Sequence, residues 1–213
     1  MDTKLTGKTR IESDLIGARE IPAEALYGVQ TLRGIENFSI SKFRLSEYPL
    51  FIKGLAITKM AAAMANFELG LLTVEQKDAI IAACGEILDG KHHDQFPVDM
   101  IQGGAGTTTN MNANEVIANR ALELMGHERG EYQYCSPNDH VNCSQSTNDA
   151  YPTAIHIGMY FKHLQLLPHL EELIASFRKK GEEFSQIIKM GRTQLEDAVP
   201  MTLGQTFNGF ASI

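Results

Sequence analysis

Residues 155–188, IHIGMYFKHLQLLPHLEELIASFRKKGEEFSQII, carry the reading that decides the fold class. Ile155, Met159, Leu166, Leu167, Leu170, Leu173, Ile174, Phe177, Phe184, Ile187 and Ile188 recur at helical spacing, with only Pro168 and Gly181 as interruptions. A helix of that length exceeds the usual globular helix. It cannot bury its apolar stripe inside a small domain, so it predicts packing against other long helices, in a bundle or across a subunit interface.

Upstream, Leu50, Phe51, Leu55, Ile57, Met60, Ala61, Met64, Ala65 and Phe67 predict a helix over 46–69 that Gly70 stops. Thr73 and Gln76 stand at capping-box spacing before Ala79, Ile80, Ala83, Ile87 and Leu88, so a second helix ends near Gly90 and completes a helical hairpin. A third helix starts near Asn110 and runs to Gly126, and a loop follows over 127–148. The first 45 residues hold Gly17, Pro22, Gly28 and Gly34 between short apolar pieces, a lead-in of turns with room for one hairpin. The expected fold is mainly α: an N-terminal helical domain over 1–142 with an irregular or short β lead-in, then, over 143–213, the first long helices of a central helical bundle. No strand alternates with helix, and no internal repeat stands out.

The 213 residues are 43% apolar and 21% charged, enough for a sizeable core, which excludes intrinsic disorder. Lys and Arg total 19 against 26 Asp and Glu, a formal charge of -7 without a basic run, so neither nucleic acid nor an anionic membrane is expected as a partner. The apolar stretches, such as 55–60, break well before a bilayer span of about 20 residues, which predicts a soluble chain. Residues 1–10 lack the apolar core of a signal peptide, so a cytoplasmic location is expected. Cys84, Cys135 and Cys143 are odd in number without CxxC spacing and fit reduced thiols.

Chemistry concentrates in three polar stretches. In Gln102-Gly103-Gly104-Ala105-Gly106-Thr107-Thr108-Thr109-Asn110-Met111-Asn112-Ala113-Asn114, glycines and hydroxyls lead into a helix N-terminus, a ready anion site. Neither a P-loop lysine nor a GxGxxG turn is present, so a carboxylate suits it better than a nucleotide. An ordinary turn with Thr107 to Thr109 as alternative N-caps is the simpler alternative. The second stretch, Cys143-Ser144-Gln145-Ser146-Thr147-Asn148-Asp149, repeats the device, with Ser146, Thr147 and Asn148 as donors or simple caps. The third, over 190–205, reads as a loop carrying Arg192, Thr193 and Gln194 toward an element that begins near Met201; Arg192 is expected to pair locally with Glu196 or Asp197. His92 and His93 are adjacent and His163 and His169 are six apart, so neither pair has metal-ligand spacing on a helix, and His140 reads as a loop residue. There is no Gly-x-Ser-x-Gly elbow.

Gly-Ala-Gly-Thr107-Thr-Thr-Asn-Met-Asn-Ala-Asn-Glu, Ser-Gln-Ser146-Thr147-Asn148-Asp-Ala-Tyr-Pro-Thr and Gly-Arg-Thr193-Gln194-Leu-Glu-Asp-Ala-Val-Pro-Met-Thr-Leu-Gly-Gln together resemble the aspartase/fumarase superfamily over essentially the whole chain. Gln194, the Gly-Gly-Ala-Gly-Thr run and the 130–142 stretch are similar to its aspartate ammonia-lyase branch, whereas fumarases typically have His at the position of Gln194 and Ser at that of Thr147. The resemblance implies a carbon–nitrogen lyase: reversible anti elimination of ammonia from L-aspartate to give fumarate, without a prosthetic group, in a homotetramer with composite sites. It implies that Thr107, Ser146, Thr147 and Asn148 bind the substrate, with Thr193 and Gln194 approaching from another subunit. It implies no metal ligand and does not decide whether a divalent cation activates. The flexible loop that carries the family's base serine is missing before Ile213, so no catalytic base is assigned in this chain; it is expected to be an N-terminal fragment, inactive alone. Ser136 stands where fumarases commonly carry the His of an accessory anion site, so that site is not carried over. A fumarate hydratase and a non-catalytic helical interaction module are the alternatives.

Overall fold

The computed structural model describes residues 7–213; the reading of residues 1–10 as lacking a signal peptide lies in part outside them. The chain divides into two compact units, one ending at Met159 and one spanning Tyr160–Ile213. It is mainly α with short β pieces, as its periodicities require.

The lead-in forms one hairpin, β1 (Thr9–Asp14) and β2 (Gly17–Pro22), antiparallel with Arg10 opposite Ile21 and Asp14 opposite Gly17. The Arg10 guanidinium donates to the carbonyls of Pro22, Ala23, Ala25 and Tyr27, and so ties the segment leaving the hairpin. A short helix, α1 (Val29–Asn37), follows. The predicted helical hairpin is α2 (Pro49–Glu68) and α3 (Val74–Leu88), and Thr73 and Gln76 close the capping box reciprocally at 3.2 and 3.0 Å. One expectation changes here. By length and composition α2 is apolar enough to cross a membrane, contrary to the reading of its interruptions. Phe51, Ile52, Leu55, Ala56 and Ala63 instead pack into the core of the first unit, and Lys59 is wholly buried in the middle of the helix.

The third helix, α4 (Thr107–Leu124), starts before Asn110, where its apolar periodicity begins to show. Thr109 to Ala118 are buried without a break, so α4 is the axis of this unit rather than a helix with one wet face. Its asparagines are tolerated because they are bonded: Asn112 Nδ2 reaches Gln95 O at 3.0 Å and Asn119 Nδ2 reaches Leu26 O at 2.8 Å. Residues 137–141, within the expected loop, wind into one π-helical turn that Ser136 caps through its Oγ at 3.1 Å from Asp139 N.

The long periodic stretch is α5 (Thr147–Glu183), which continues through Pro168 and ends before Ile187 and Ile188, the last residues of the pattern. The division between the two units falls inside this helix, whereas the 142/143 boundary marks the entry to the loop before it. Gly54 permits the start of α5 to pack on α2, because a Cβ there would lie 2.2 Å from Ala154 O. In the second unit, Leu164, Leu166, Leu167, Leu170 and Leu173 leave an apolar stripe exposed.

The 190–205 segment is not the loop its composition suggests. It forms an antiparallel hairpin, β3 (Ile188–Thr193) and β4 (Glu196–Thr202), followed by α6 (Leu203–Ser212). Most of its residues are exposed, so the strands show no apolar alternation. The turn uses Gln194 and Leu195 at φ 52° and 69° without the Gly, Asn or Asp that normally marks such a turn. Phe177, Phe184, Phe207 and Phe210 form the aromatic cluster of this unit, with ring centroids 5.5 to 6.3 Å apart.

Candidate active site

Gly106 caps α4 at φ +88°, and a Cβ there would lie 2.5 Å from the Tyr151 ring. The left-handed conformation and that close approach both require glycine, which corrects the alternative of Thr107 to Thr109 as N-caps. Thr107 Oγ1 donates back to Gly104 O at 2.6 Å, and the side chain is exposed at the helix entrance. Gln102 fastens the glycine-rich loop, donating from Nε2 to Thr109 Oγ1 at 2.7 Å and to Asp99 O at 2.9 Å.

The second stretch turns through Ser144 at φ 57° and enters α5 at Thr147. Ser146 Oγ accepts from the Asn148 N–H at 3.2 Å, and Ser146 O accepts from Ala150 N at 3.0 Å. Asn110, on the first turn of α4, donates from Nδ2 to Thr147 Oγ1 at 3.2 Å and joins the two stretches. A cavity of about 380 Å³ opens between them, with Gln102, Gly106, Asn148, Tyr151 and Pro152 among its lining. Of the four expected residues Asn148 lines this cavity, and Thr107, Ser146 and Thr147 stand in the two segments that the Asn110–Thr147 bond joins. The positive dipole ends of the two helices favour an anion, although the N–H groups of Thr107, Thr109 and Asn148 are already bonded to Gly104 O, Gln102 Oε1 and Ser146 Oγ.

Thr193 and Gln194 lie at the tip of the β3–β4 hairpin in the second unit, both exposed. Arg192 pairs locally with Asp197, Nε to Oδ1 at 3.1 Å. The first-unit cavity is lined without these residues.

Behind Thr147 lies a buried polar network that the motifs do not announce. Lys59 Nζ donates to Asn142 Oδ1 and to Gln145 Oε1, each at 2.9 Å. Asn142 Oδ1 also accepts from Asn110 Nδ2 at 3.0 Å and Asn114 Nδ2 at 3.2 Å. Asn66 Nδ2 and Gln145 Nε2 both donate to Cys143 O, at 2.8 and 3.1 Å. Burial pulls the Lys59 ammonium down to about 7, opposed by the neighbouring Cys84, whose own thiol burial pushes up to about 12. The one sequence signal for Lys59 was a cation inside the apolar run of α2, which reads equally as an exposed face.

A second buried polar cluster anchors α1. Glu115, on α4, accepts the N–H groups of Gly28, Gln30 and Thr31 at 2.8 to 2.9 Å, and Glu12 Oε2 accepts from Val29 N and the Tyr132 hydroxyl. Burial raises the Glu115 carboxyl above its usual range against the pull of those N–H groups. His140, in the π-helical turn, accepts the Ser136 N–H at Nδ1, 2.7 Å away, and its other ring nitrogen lies 3.2 Å from Gln76 Nε2. Burial lowers its pKa, and its role is to close that turn. Among the described residues, no group of three or more His, Cys, Asp and Glu side chains is placed to hold a metal ion.

With the loops in place, the chain can be set beside known proteins. A family model described as Lyase matches residues 17–213. The chain belongs to this Lyase family. It is 60% identical over 203 residues to an aspartate ammonia-lyase of Pseudomonas canavaninivorans, covering 95% of this chain and 43% of that protein. The Escherichia coli K12 aspartate ammonia-lyase is 57% identical over 97% of this chain and 44% of its own length. Among solved structures, a Brucella melitensis fumarate lyase:delta crystallin bound to cobalt superposes with TM-score 0.90 at 54% identity, covering 96% of this chain and 45% of that one. A class II fumarase of Schistosoma mansoni gives TM-score 0.85 at 39% identity, again over 96% of this chain and 43% of that one. The Lyase chain thus spans less than half the length of these relatives.

Proposed function

We propose that this chain forms the N-terminal part of an aspartate ammonia-lyase, eliminating ammonia from L-aspartate to give fumarate and running in reverse. The observation that carries the reading is the pairing of the Thr107 and Ser146–Asn148 stretches around one cavity at two helix N-termini. Removing a proton from the carbon beside the β-carboxylate yields an aci-carboxylate with an added negative charge, and the nitrogen then leaves as ammonia. Fixed, uncharged donors aimed at the carboxylate oxygens stabilise that intermediate more than the substrate. Ser146, Thr147 and Asn148 supply those donors, Thr107 joins them when its hydroxyl turns from Gly104 O to the substrate, and Thr193 and Gln194 complete the pocket from a neighbouring subunit. The base belongs to a part of the enzyme outside these residues.

Identity favours aspartate as substrate: 57–60% to aspartate ammonia-lyases against 39% to the class II fumarase. Gln194, where fumarases carry His, points the same way. Hydration of fumarate to malate is the second reading, motivated by the fumarase likeness. The unpaired thiols of Cys84, Cys135 and Cys143 suit a reducing cytoplasm, and the exposed leucines of α5 suit assembly into a homotetramer. No prosthetic group enters this chemistry.

Fumarate formation followed at its ultraviolet absorbance tests the reading. The full-length enzyme containing this segment is expected to convert L-aspartate and to leave malate untouched, and the 213-residue chain alone is expected to convert neither. Turnover of malate without aspartate would transfer the assignment to a hydratase.

A further inference from the structure

We infer that Lys59, Asn142 and Asn110 form a one-way hydrogen-bond relay that holds the Thr147 hydroxyl proton toward a carboxylate of the bound four-carbon acid. The inference rests on the aspartate-lyase reading and assigns positioning residues that never touch the substrate.

The direction follows from donor and acceptor counting. As an ammonium Lys59 has protons to give and no lone pair, so Asn142 turns Oδ1 toward it at 2.9 Å. The reverse orientation would set N–H against N–H. The other end of the same amide agrees, because Asn142 Nδ2 donates to Gln145 O at 3.1 Å. With Asn142 Oδ1 fixed as an acceptor, Asn110 must present Nδ2 to it, at 3.0 Å. The remaining N–H of that Nδ2 then points to Thr147 Oγ1, 3.2 Å away.

Thr147 is thereby an acceptor toward Asn110, and its single proton is directed elsewhere. Its hydroxyl donates to no partner among the described residues, and the next residue, Asn148, lines the cavity. Asn110 Oδ1 is buried without a partner, which shows what the relay prevents. Were the Asn110 amide free to turn over, that oxygen would take the Thr147 proton and leave the ligand an oxygen in place of a donor.

Steady-state kinetics of the full-length enzyme with L-aspartate test this through Thr147→Val, Asn110→Leu, Lys59→Met and the two doubles that contain Thr147→Val. Loss of a hydrogen bond to a charged group corresponds to a rise in KM of about tenfold to a hundredfold in each single variant, with kcat per folded enzyme changed less. In the doubles, KM is expected to stay at the Thr147→Val value, because the upstream residues act only through that hydroxyl. A merely structural role would lower the folded fraction and leave KM alone in the single variants. An unchanged KM in Asn110→Leu, or additive effects in its double, overturns the relay, and this variant decides alone if Lys59→Met does not fold. Absence of aspartate turnover in the unsubstituted enzyme overturns the functional reading and the relay with it; turnover with unmoved KM values overturns the relay only.

Discussion

Replacing Lys59 by Met removes a buried amine and keeps the shape of the side chain, so the pH dependence of stability changes while the core of α2 stays filled. In the folded protein burial holds the ammonium at about 7, against an ordinary value of 10.5. Above pH 7 the unfolded chain binds a proton that the folded one has given up, so stability rises with pH at a limiting slope of about 1.4 kcal/mol per pH unit. Cys84 opposes this only above its ordinary value of 9.0, because the buried thiol keeps its proton to about 12 and folding then favours the protonated form. The clean window is therefore pH 7 to 9, where Lys59 contributes a gain of about 2 kcal/mol. Lys59→Met loses that gain and leaves Gln145 Oε1 without its donor, at a cost of about 1 to 3 kcal/mol. Urea unfolding of both proteins by far-ultraviolet circular dichroism, at pH 6 through 9, measures the difference. Parallel pH profiles would refute the reasoning, since they would mean that the folded lysine keeps its ordinary affinity for protons.

Three further outcomes are expected. Gly54→Ala puts a Cβ 2.2 Å from Ala154 O on backbone that cannot swing aside, so thermal unfolding should show a loss of about 1 to 3 kcal/mol, and an unchanged midpoint would contradict the close approach of α2 to the start of α5. Arg120, bonded to Glu86 at 2.6 and 2.8 Å, with His92 adding a second partner, holds the Glu86 carboxyl at about 2. Its stabilisation is complete above about pH 4.5 and is lost as pH falls through about 2, so Glu86→Gln should flatten the acid limb of an unfolding profile, and an identical limb would reject the pairing. Gly106→Ala strains a φ of +88° and drives into the Tyr151 ring; in the full-length enzyme it should raise KM for L-aspartate at least tenfold, measured as initial rates, while Gly126→Ala, which strains a φ of +82° but has open space at its Cβ, should leave KM unchanged.

Part of the site was legible because its chemistry is local. Glycines and hydroxyls before a helix mark an anion-binding N-terminus wherever they occur, and Thr107 and Ser146–Asn148 announce themselves in this way. The pairing of those stretches was not legible. It depends on Asn110 reaching Thr147, 37 positions away in the chain, and on Gly106 meeting the Tyr151 ring. The hairpin that carries Thr193 and Gln194 was missed for a different reason: its strands are exposed on both faces, and its turn lacks the usual glycine or asparagine.

Helical periodicity, capping boxes and glycine stops are set by neighbours within a few residues, so the helices 49–68 and 74–88 and the long run from Thr147 follow from the amino-acid order alone. Lys59 shows the opposite case. A lysine in an apolar helix is a solvated side chain in one fold and a buried hydrogen-bond source in another, and only the arrival of Asn142 and Gln145 from 83 and 86 positions away makes it the second. The cost of desolvating an amine is met by partners that tertiary packing brings in, and that long-range choice is why the network behind the site belongs to the structure rather than to the local sequence.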